Sequence, residues 1–154
     1  MTLAARSLTA LCLALLLGAC ESLFTGETVA NVPLEADAGG GFKPVTFALS
    51  ADMAPVALNF HAEQGNQPHE SGKWNRYRAT LTRAGQPVAS AEFNVNYTGT
   101  PDLPPANPSH VVTMLIHRAV EGGEHALSIR PLKADEVTLK NVRLEVRRNV
   151  QVPR

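Results

Sequence analysis

Cysteine is nearly absent from this chain of 154 residues: there are two, Cys12 and Cys20, and both lie in the first twenty positions. Residues 21–154 therefore cannot form a disulfide, and they contain no thiol nucleophile. A domain built from them must be stabilised by packing and strand pairing.

An excess of charge of one sign is also absent. Lys and Arg number 14, as do Asp and Glu. A nucleic-acid-binding surface needs a clear basic excess, so this balance argues against nucleic acid as a partner. It also gives no reason to expect binding to an anionic surface through net charge.

Recognisable catalytic motifs are missing as well. The sequence has no Gly-x-Ser-x-Gly elbow. The adjacent acids Asp135 and Glu136 lie beside a strand start, where neighbouring side chains of an extended chain point apart. We therefore expect a protein that is not an enzyme, with no catalytic residue and no cofactor.

Long hydrophobic runs are absent, but a short one opens the chain. Arg6 is the only charged residue among residues 1–20, and an apolar run of about ten residues follows it. A permanent membrane-spanning helix needs roughly 20 apolar residues. The run therefore predicts a secretory signal peptide over residues 1–19 that is cleaved from the mature protein.

This run ends in Leu17-Gly18-Ala19-Cys20. The tetrapeptide resembles the lipobox of bacterial lipoproteins, in which an aliphatic and two small residues precede the cysteine that takes the lipid. The resemblance, which covers residues 1–20, implies a diacylglyceryl thioether on Cys20 and an amine acylated by a fatty acid such as palmitate. Several acyl chains would hold the protein on a membrane. The alternative is an ordinary signal peptide cut after Ala19, which leaves a free thiol.

The residues after Cys20 bear on the choice of membrane. In the lipoprotein family an aspartate directly after the cysteine favours retention in the inner membrane. Glu21 and Ser22 stand here, so the resemblance implies the outer membrane, with the domain facing the periplasm. The inner membrane is the alternative.

Residues 20–27 form the predicted tether and residues 28–154 the predicted domain. Removal of residues 1–19 leaves 135 residues, with 13 Lys and Arg against 14 Asp and Glu. That length suits one domain with a single core. Alternation of apolar and polar residues dominates, and no stretch has a helical period. About eight strands predict an antiparallel β-sandwich of jelly-roll or immunoglobulin-like type, which resembles the small β-sandwich lipoproteins of Gram-negative bacteria.

Four local patterns give sharper expectations. An inward-facing run from Tyr77 to Leu81, a turn at Ala84-Gly85 and a second run from Ala89 to Tyr97 predict a hairpin. The apolar run 111–116 predicts a central strand, and a phase change at Lys140-Asn141 predicts a β-bulge. The basic residues of the last strand are interpreted as charge that protects a sheet edge; the alternative is an acidic partner. They are Lys140, Arg143, Arg147 and Arg148.

Trp74 is the single tryptophan in a chain with only 5% aromatic residues. Together with Tyr77 it could stack on a sugar ring, while Asn75 and Arg76 bond the hydroxyls. These four residues are the candidate ligand-binding set. The alternative is that Trp74 covers one end of the core.

Histidines and acids suggest a metal site only weakly. His61, Glu63, His69 and Glu70 lie within ten residues of sequence, and zinc accepts such ligands. Their spacing matches no metal-binding motif, so we expect exposed loop side chains and no metal. His117 and His125 flank a glycine turn and are expected to pair across strands.

Two functions stay open at this point. The first is a membrane-anchored, non-enzymatic interaction or assembly module that meets an envelope protein through a sheet edge or through the loops 64–73 and 98–109. The second is a lipoprotein whose β-sandwich binds a carbohydrate or another small ligand.

Overall fold

The computed structural model describes residues 26–152, which form two four-stranded antiparallel sheets packed face to face. The predicted all-β sandwich of about eight strands is confirmed. The strands are β1 Glu27–Pro33, β2 Phe42–Leu49, β3 Val56–Gln64, β4 Trp74–Arg83, β5 Gln86–Asn96, β6 Ser109–His117, β7 Gly123–Pro131 and β8 Leu139–Arg148. Short 3₁₀ helices occupy Ala51–Met53 and Pro68–Glu70.

Strand order identifies the kind of sandwich. Sheet I has the order β1-β8-β3-β6 and sheet II the order β2-β7-β4-β5. Ladders join β1 to β8, β2 to β7, β3 to β6 and β4 to β5, so the chain forms one long antiparallel ribbon that is folded at the β4–β5 hairpin. Further ladders, β3–β8 and β4–β7, complete the two sheets. This wrapped ribbon is a jelly roll, the first of the two predicted types.

Strand alternation builds the core between the sheets. Tyr77, Ala79 and Leu81 on β4 are fully buried, as the hairpin pattern predicted. Tyr77 also belongs to a cluster of four aromatic rings, with neighbouring centroids 5.3–6.0 Å apart. Aromatic pairs at these separations add to the free energy gained from burial alone. The other three rings are Phe42, Phe60 and Phe93.

Two predicted backbone features are confirmed. Ala84 and Gly85 connect β4 to β5 with φ values of 48° and 76°, the left-handed pair that a tight hairpin turn requires. In the β3–β8 ladder, His61 pairs with Arg143 whereas Glu63 pairs with Lys140, so β8 carries one extra residue there. This is the bulge that the phase change predicted.

Two predictions about strand position are wrong. The strand that contains residues 111–116, β6, lies at the edge of sheet I, and Val111 and Ile116 on it are exposed. Its apolar run reflects a bulge in the β3–β6 ladder, which lets consecutive Met114 and Leu115 both be buried. Conversely β8 is central, between β1 and β3. Its basic side chains therefore do not protect an edge; Arg148, for example, bonds Glu27 on β1.

The predicted signal peptide 1–19 and Cys20 lie outside the described residues. The predicted tether ends inside the fold, because β1 begins at Glu27 and the Gly26 carbonyl accepts a hydrogen bond from Arg147. Within residues 26–152, no helix is long and apolar enough to cross a membrane.

Candidate functional site

A cleft of about 720 Å³ opens at one end of the sandwich. Because all ladders are antiparallel, the connections that follow β1, β3, β5 and β7 lie at the same end. Three of these connections, 34–41, 65–73 and 132–138, border the cleft. We call it the loop-end cleft. Its lining includes apolar Leu34, Phe42 and Val137 and polar Glu70, Tyr77 and Asp135.

Tyr77 links the core to this cleft. Its hydroxyl donates a hydrogen bond to Asp135 Oδ2 (2.8 Å) and accepts one from Asn75 Nδ2 (3.0 Å). Burial, followed by the hydrogen bond to Asp135 and its charge, raises the pKa of Tyr77 strongly. The phenol therefore keeps its proton and stays a donor at neutral pH.

Asp135 lies at the rim of the cleft. Desolvation by surrounding atoms raises the pKa of Asp135, and this effect exceeds the lowering by the Tyr77 hydrogen bond and the Lys133 charge. Tyr77 bonds Oδ2 of this carboxylate, and Asp135 lines the cleft.

Asn75 fixes the segment that carries Asp135. It is fully buried on β4, and its Nδ2 donates to the Val137 carbonyl at 2.8 Å as well as to Tyr77. Its Oδ1 accepts from the backbone N–H groups of Glu136 and Val137, both at 2.8 Å. Every donor and acceptor of this amide is therefore used, and residues 135–137 are held against β4.

Glu70 is the most unusual residue of the cleft. Only 2% of it is exposed, and its Oε1 accepts from the Thr138 N–H (2.9 Å) and hydroxyl (2.6 Å). Its Oε2 is buried and has no hydrogen-bond partner within residues 26–152. A buried polar atom without a partner is costly and rare, so this oxygen calls for an explanation.

The loop that carries Glu70 is fastened at both ends. Gln64, at the end of β3, accepts from the Thr98 N–H and hydroxyl, each at 3.0 Å. Tyr97 accepts from the Gln67 N–H through its hydroxyl, and its own N–H donates to the Lys73 carbonyl. These bonds tie the loop to the end of β5 and set the position of Glu70.

Strand alternation separates the four residues of the candidate ligand-binding set. Asn75 and Tyr77 point into the sandwich, whereas Trp74 and Arg76 lie on the outer face of sheet II. Trp74 is 43% exposed, with the Lys133 ammonium 3.8 Å from its ring centroid, so it does not cover the core. The four side chains thus do not share one surface. One feature of the sequence could have pointed to the loop-end cleft: Asn75 is a polar residue at an inward-facing position of β4.

The histidines and acids considered for a metal site are also dispersed. His61 lies on the outer face of β3, where its Nε2 is 2.9 Å from Glu145 Oε2, whereas His69 and Glu70 line the loop-end cleft. In the described part of the chain, no group of three or more His, Cys, Asp or Glu residues is arranged to hold a metal ion.

Glu145 forms a second polar cluster on the outer face of sheet I. It is 8% exposed and accepts hydrogen bonds from four side chains. Burial alone would raise the pKa of Glu145, but these hydrogen bonds and the Arg147 charge lower it to about 2. Both carboxylate oxygens are satisfied. The donors are Thr28 (2.6 Å), Asn59 (3.1 Å), His61 (2.9 Å) and Arg147 (2.9 Å).

Comparison with known proteins does not extend this picture. No protein-family model and no curated protein sequence matches the chain. A function must therefore be argued from the chemistry of the loop-end cleft.

Proposed function

We propose that this protein is a membrane-anchored lipoprotein of the bacterial envelope whose jelly roll is a non-enzymatic binding module for a small, hydroxyl-rich ligand such as a carbohydrate. The loop-end cleft is the binding site. One observation carries the proposal: Glu70, almost fully buried in the lining of this cleft, has an oxygen that no donor of the described chain satisfies.

The acceptors of the cleft determine the ligand chemistry. Carboxylate oxygens accept hydrogen bonds, so a ligand that matches Glu70 and Asp135 is one that brings several donors. Hydroxyl groups of a sugar supply several donors on a small ring. The apolar Leu34 and Phe42 would contact its C–H faces, as apolar walls do in most small-ligand sites.

The place where the chain enters the fold supports the anchored arrangement. β1 starts at Glu27 and runs toward the loop-end cleft, so the tether joins the sandwich at the opposite end. Residues 20–25 span at most about 20 Å when extended. A lipid on Cys20 would therefore leave the cleft facing away from the membrane surface, open to ligands of the periplasm.

Titration calorimetry of the purified full chain with peptidoglycan fragments and a panel of glycans tests the binding proposal. We expect at least one saccharide to bind, and Glu70→Gln to weaken its affinity at least tenfold. Glu92→Gln is the matched control, because Glu92 lies on the outer face of sheet II and bonds Arg76 and Arg78. If no saccharide bound, or if both variants behaved like wild type, the proposal would be wrong.

The anchor has its own test, the intact mass of the protein recovered from membranes. We expect residues 20–154 plus acyl chains for wild type, and loss of the lipid in Cys20→Ala. An unmodified mass would overturn the anchored part of the proposal and leave the binding part standing.

A second candidate function is assembly with an envelope protein through β6. Within the described residues β6 pairs only with β3, and it exposes 55% of Val111 and 40% of Ile116. Edge strands of this kind can accept a further strand from a partner.

A photo-crosslinking amino acid at position 111, compared with one at position 76 on the other sheet, tests assembly through β6. Adducts confined to position 111 and lost in Ile116→Lys would favour assembly; equal labelling would exclude it.

A further inference from the structure

Two histidines, His117 and His125, face the interior at the end of the sandwich opposite the loop-end cleft. His117 closes β6 and His125 lies near the start of β7. Their ring centroids are 6.4 Å apart, with an interplanar angle of 60°. Both rings line a cleft of about 310 Å³, which we call the histidine cleft. This cleft is separate from the loop-end cleft.

The tautomer of His125 follows from its hydrogen bond. Its Nδ1 lies 3.0 Å from the Gly123 carbonyl oxygen, and a carbonyl only accepts, so Nδ1 carries the hydrogen. In the neutral ring Nε2 then holds a free lone pair. The side chain is 1% exposed, and Nε2 is buried with no hydrogen-bond partner among residues 26–152. A lone pair of this kind can bind a metal ion.

We propose that His117 and His125 together bind one first-row transition-metal ion, with Zn²⁺ and Cu²⁺ as the best candidates. Metal-bound histidines usually donate their other ring N–H to a backbone carbonyl or a carboxylate, which is the bond that His125 makes to Gly123. Imidazole is a preferred ligand of both ions.

The separation of the rings agrees with a shared ion. With metal–nitrogen bonds of about 2.0–2.1 Å, the ion lies about 3.2 Å from each ring centroid. Two such rings have centroids roughly 5 to 6.4 Å apart, from a tetrahedral to a linear arrangement. The observed 6.4 Å is at the open end of that range, so an approach of about 1 Å by the half-buried His117 would bring the two rings to a tetrahedral angle about the ion.

The charges around the histidine cleft allow a cation. Arg83, which lines this cleft, forms an ion pair with Glu121, whose Oε2 is 2.5 Å from Arg83 Nη1. Two protein ligands leave the remaining coordination positions to water or to Glu121, so we expect modest affinity.

Calorimetric titration of the purified full chain with Zn²⁺ tests the proposal. We expect one ion per chain and a Kd raised at least tenfold by His117→Gln. His110→Gln is the matched control, because His110 is a half-buried histidine on the same strand, β6, outside this cleft. Cys12 and Cys20, where present, are common to all variants and cancel in the comparison.

Electron paramagnetic resonance with Cu²⁺ identifies the ligands directly. We expect coupling to two imidazole nitrogens in wild type and to one in His117→Gln, whose fold is verified by circular dichroism. The proposal is wrong if wild type and His117→Gln bind Zn²⁺ equally, if His110→Gln weakens binding as much, or if the Cu²⁺ spectrum shows a single nitrogen.

Discussion

Two glutamates of this domain are both more than nine-tenths buried, yet their surroundings differ in one respect. Glu145 accepts hydrogen bonds from four side chains through both oxygens. From the described residues, Glu70 accepts two bonds through Oε1 and none through Oε2. Buried carboxylates normally have all their oxygens satisfied. The hydrogen bonds of Glu145 join strands of the fold, whereas the unpartnered oxygen of Glu70 is the feature on which we base the proposed binding site.

The location of the two residues agrees with this division. Glu145 is on β8, the central strand of sheet I, and it joins three strands by bonding Thr28 on β1 and Asn59 and His61 on β3. Glu70 is in a loop at the end of the sandwich, and within residues 26–152 its carboxylate bonds a single neighbour, Thr138. A binding residue is expected in such a loop on a rigid scaffold.

Removal of the Glu145 carboxylate should reduce the free energy of unfolding much more than removal of the Glu70 carboxylate. Glu145→Ala leaves the buried Asn59 and the half-buried His61 and Arg147 without their common acceptor, so we expect a loss of about 3–5 kcal/mol in the free energy of unfolding. Glu70→Ala leaves only the Thr138 groups without a partner and should cost about 1–2 kcal/mol. Urea denaturation of both variants measures the difference. Equal losses would contradict the division of roles.

Acid should weaken the Glu145 cluster in a defined pH range. The pKa of Glu145 is lowered from 4.5 to about 2 in the folded state, so its contribution is complete above pH 4.5 and is lost as the pH falls toward 2. The shift corresponds to roughly 3 kcal/mol.

Urea denaturation of wild type and Glu145→Gln from pH 6 to pH 2 checks this. The difference between them isolates Glu145 from other carboxylates, such as Glu92, whose pKa the neighbouring Arg78 and Arg76 also lower. We expect the two proteins to converge in stability at low pH. A difference that stays constant with pH would show that the charge of Glu145 is not what stabilises the cluster.

Local pattern predicts most of the fold and little of the site. Alternation from Tyr77 to Leu81 and the phase change at Asn141 are properties of neighbouring residues, and both predictions are confirmed. The edge position of β6 and the central position of β8 depend on pairing between distant strands, which alternation does not encode. The same holds for the site: the bonds from Asn75 to residues 136 and 137 span about sixty positions, and the burial of Glu70 depends on Thr138.

Tyr77→Phe tests the hydrogen bond between Tyr77 and Asp135 and should lower stability less than Glu145→Ala does. It removes the hydroxyl that donates to Asp135 and leaves one Asn75 N–H without an acceptor, so we expect a loss of about 1–2 kcal/mol. The Tyr77 hydrogen bond lowers the pKa of Asp135, so the variant should raise that pKa further. Carboxyl ¹³C chemical shifts measure it. Tyr97→Phe, which removes the hydroxyl that accepts from Gln67, should leave the Asp135 titration unchanged.

Replacement of one carboxylate oxygen by an NH₂ group, as in Glu→Gln, should have the smallest effects on stability and still distinguish the two glutamates. In Glu70→Gln the amide oxygen keeps both bonds from Thr138, and the new NH₂ group replaces the oxygen that has no partner. We expect a change of less than about 1 kcal/mol in stability. In Glu145→Gln the NH₂ group must face donors on either side, so we expect a loss of about 2–3 kcal/mol.

The ligand response should reverse this order. A bound saccharide stabilises the folded state by mass action, so it should raise the melting temperature of wild type and of Glu145→Gln. It should fail to do so for Glu70→Gln, because that variant presents a donor where the ligand also donates. A saccharide that protected all three proteins equally would place its binding site away from Glu70, and one that protected only wild type would make Glu145 a requirement for binding as well as for stability.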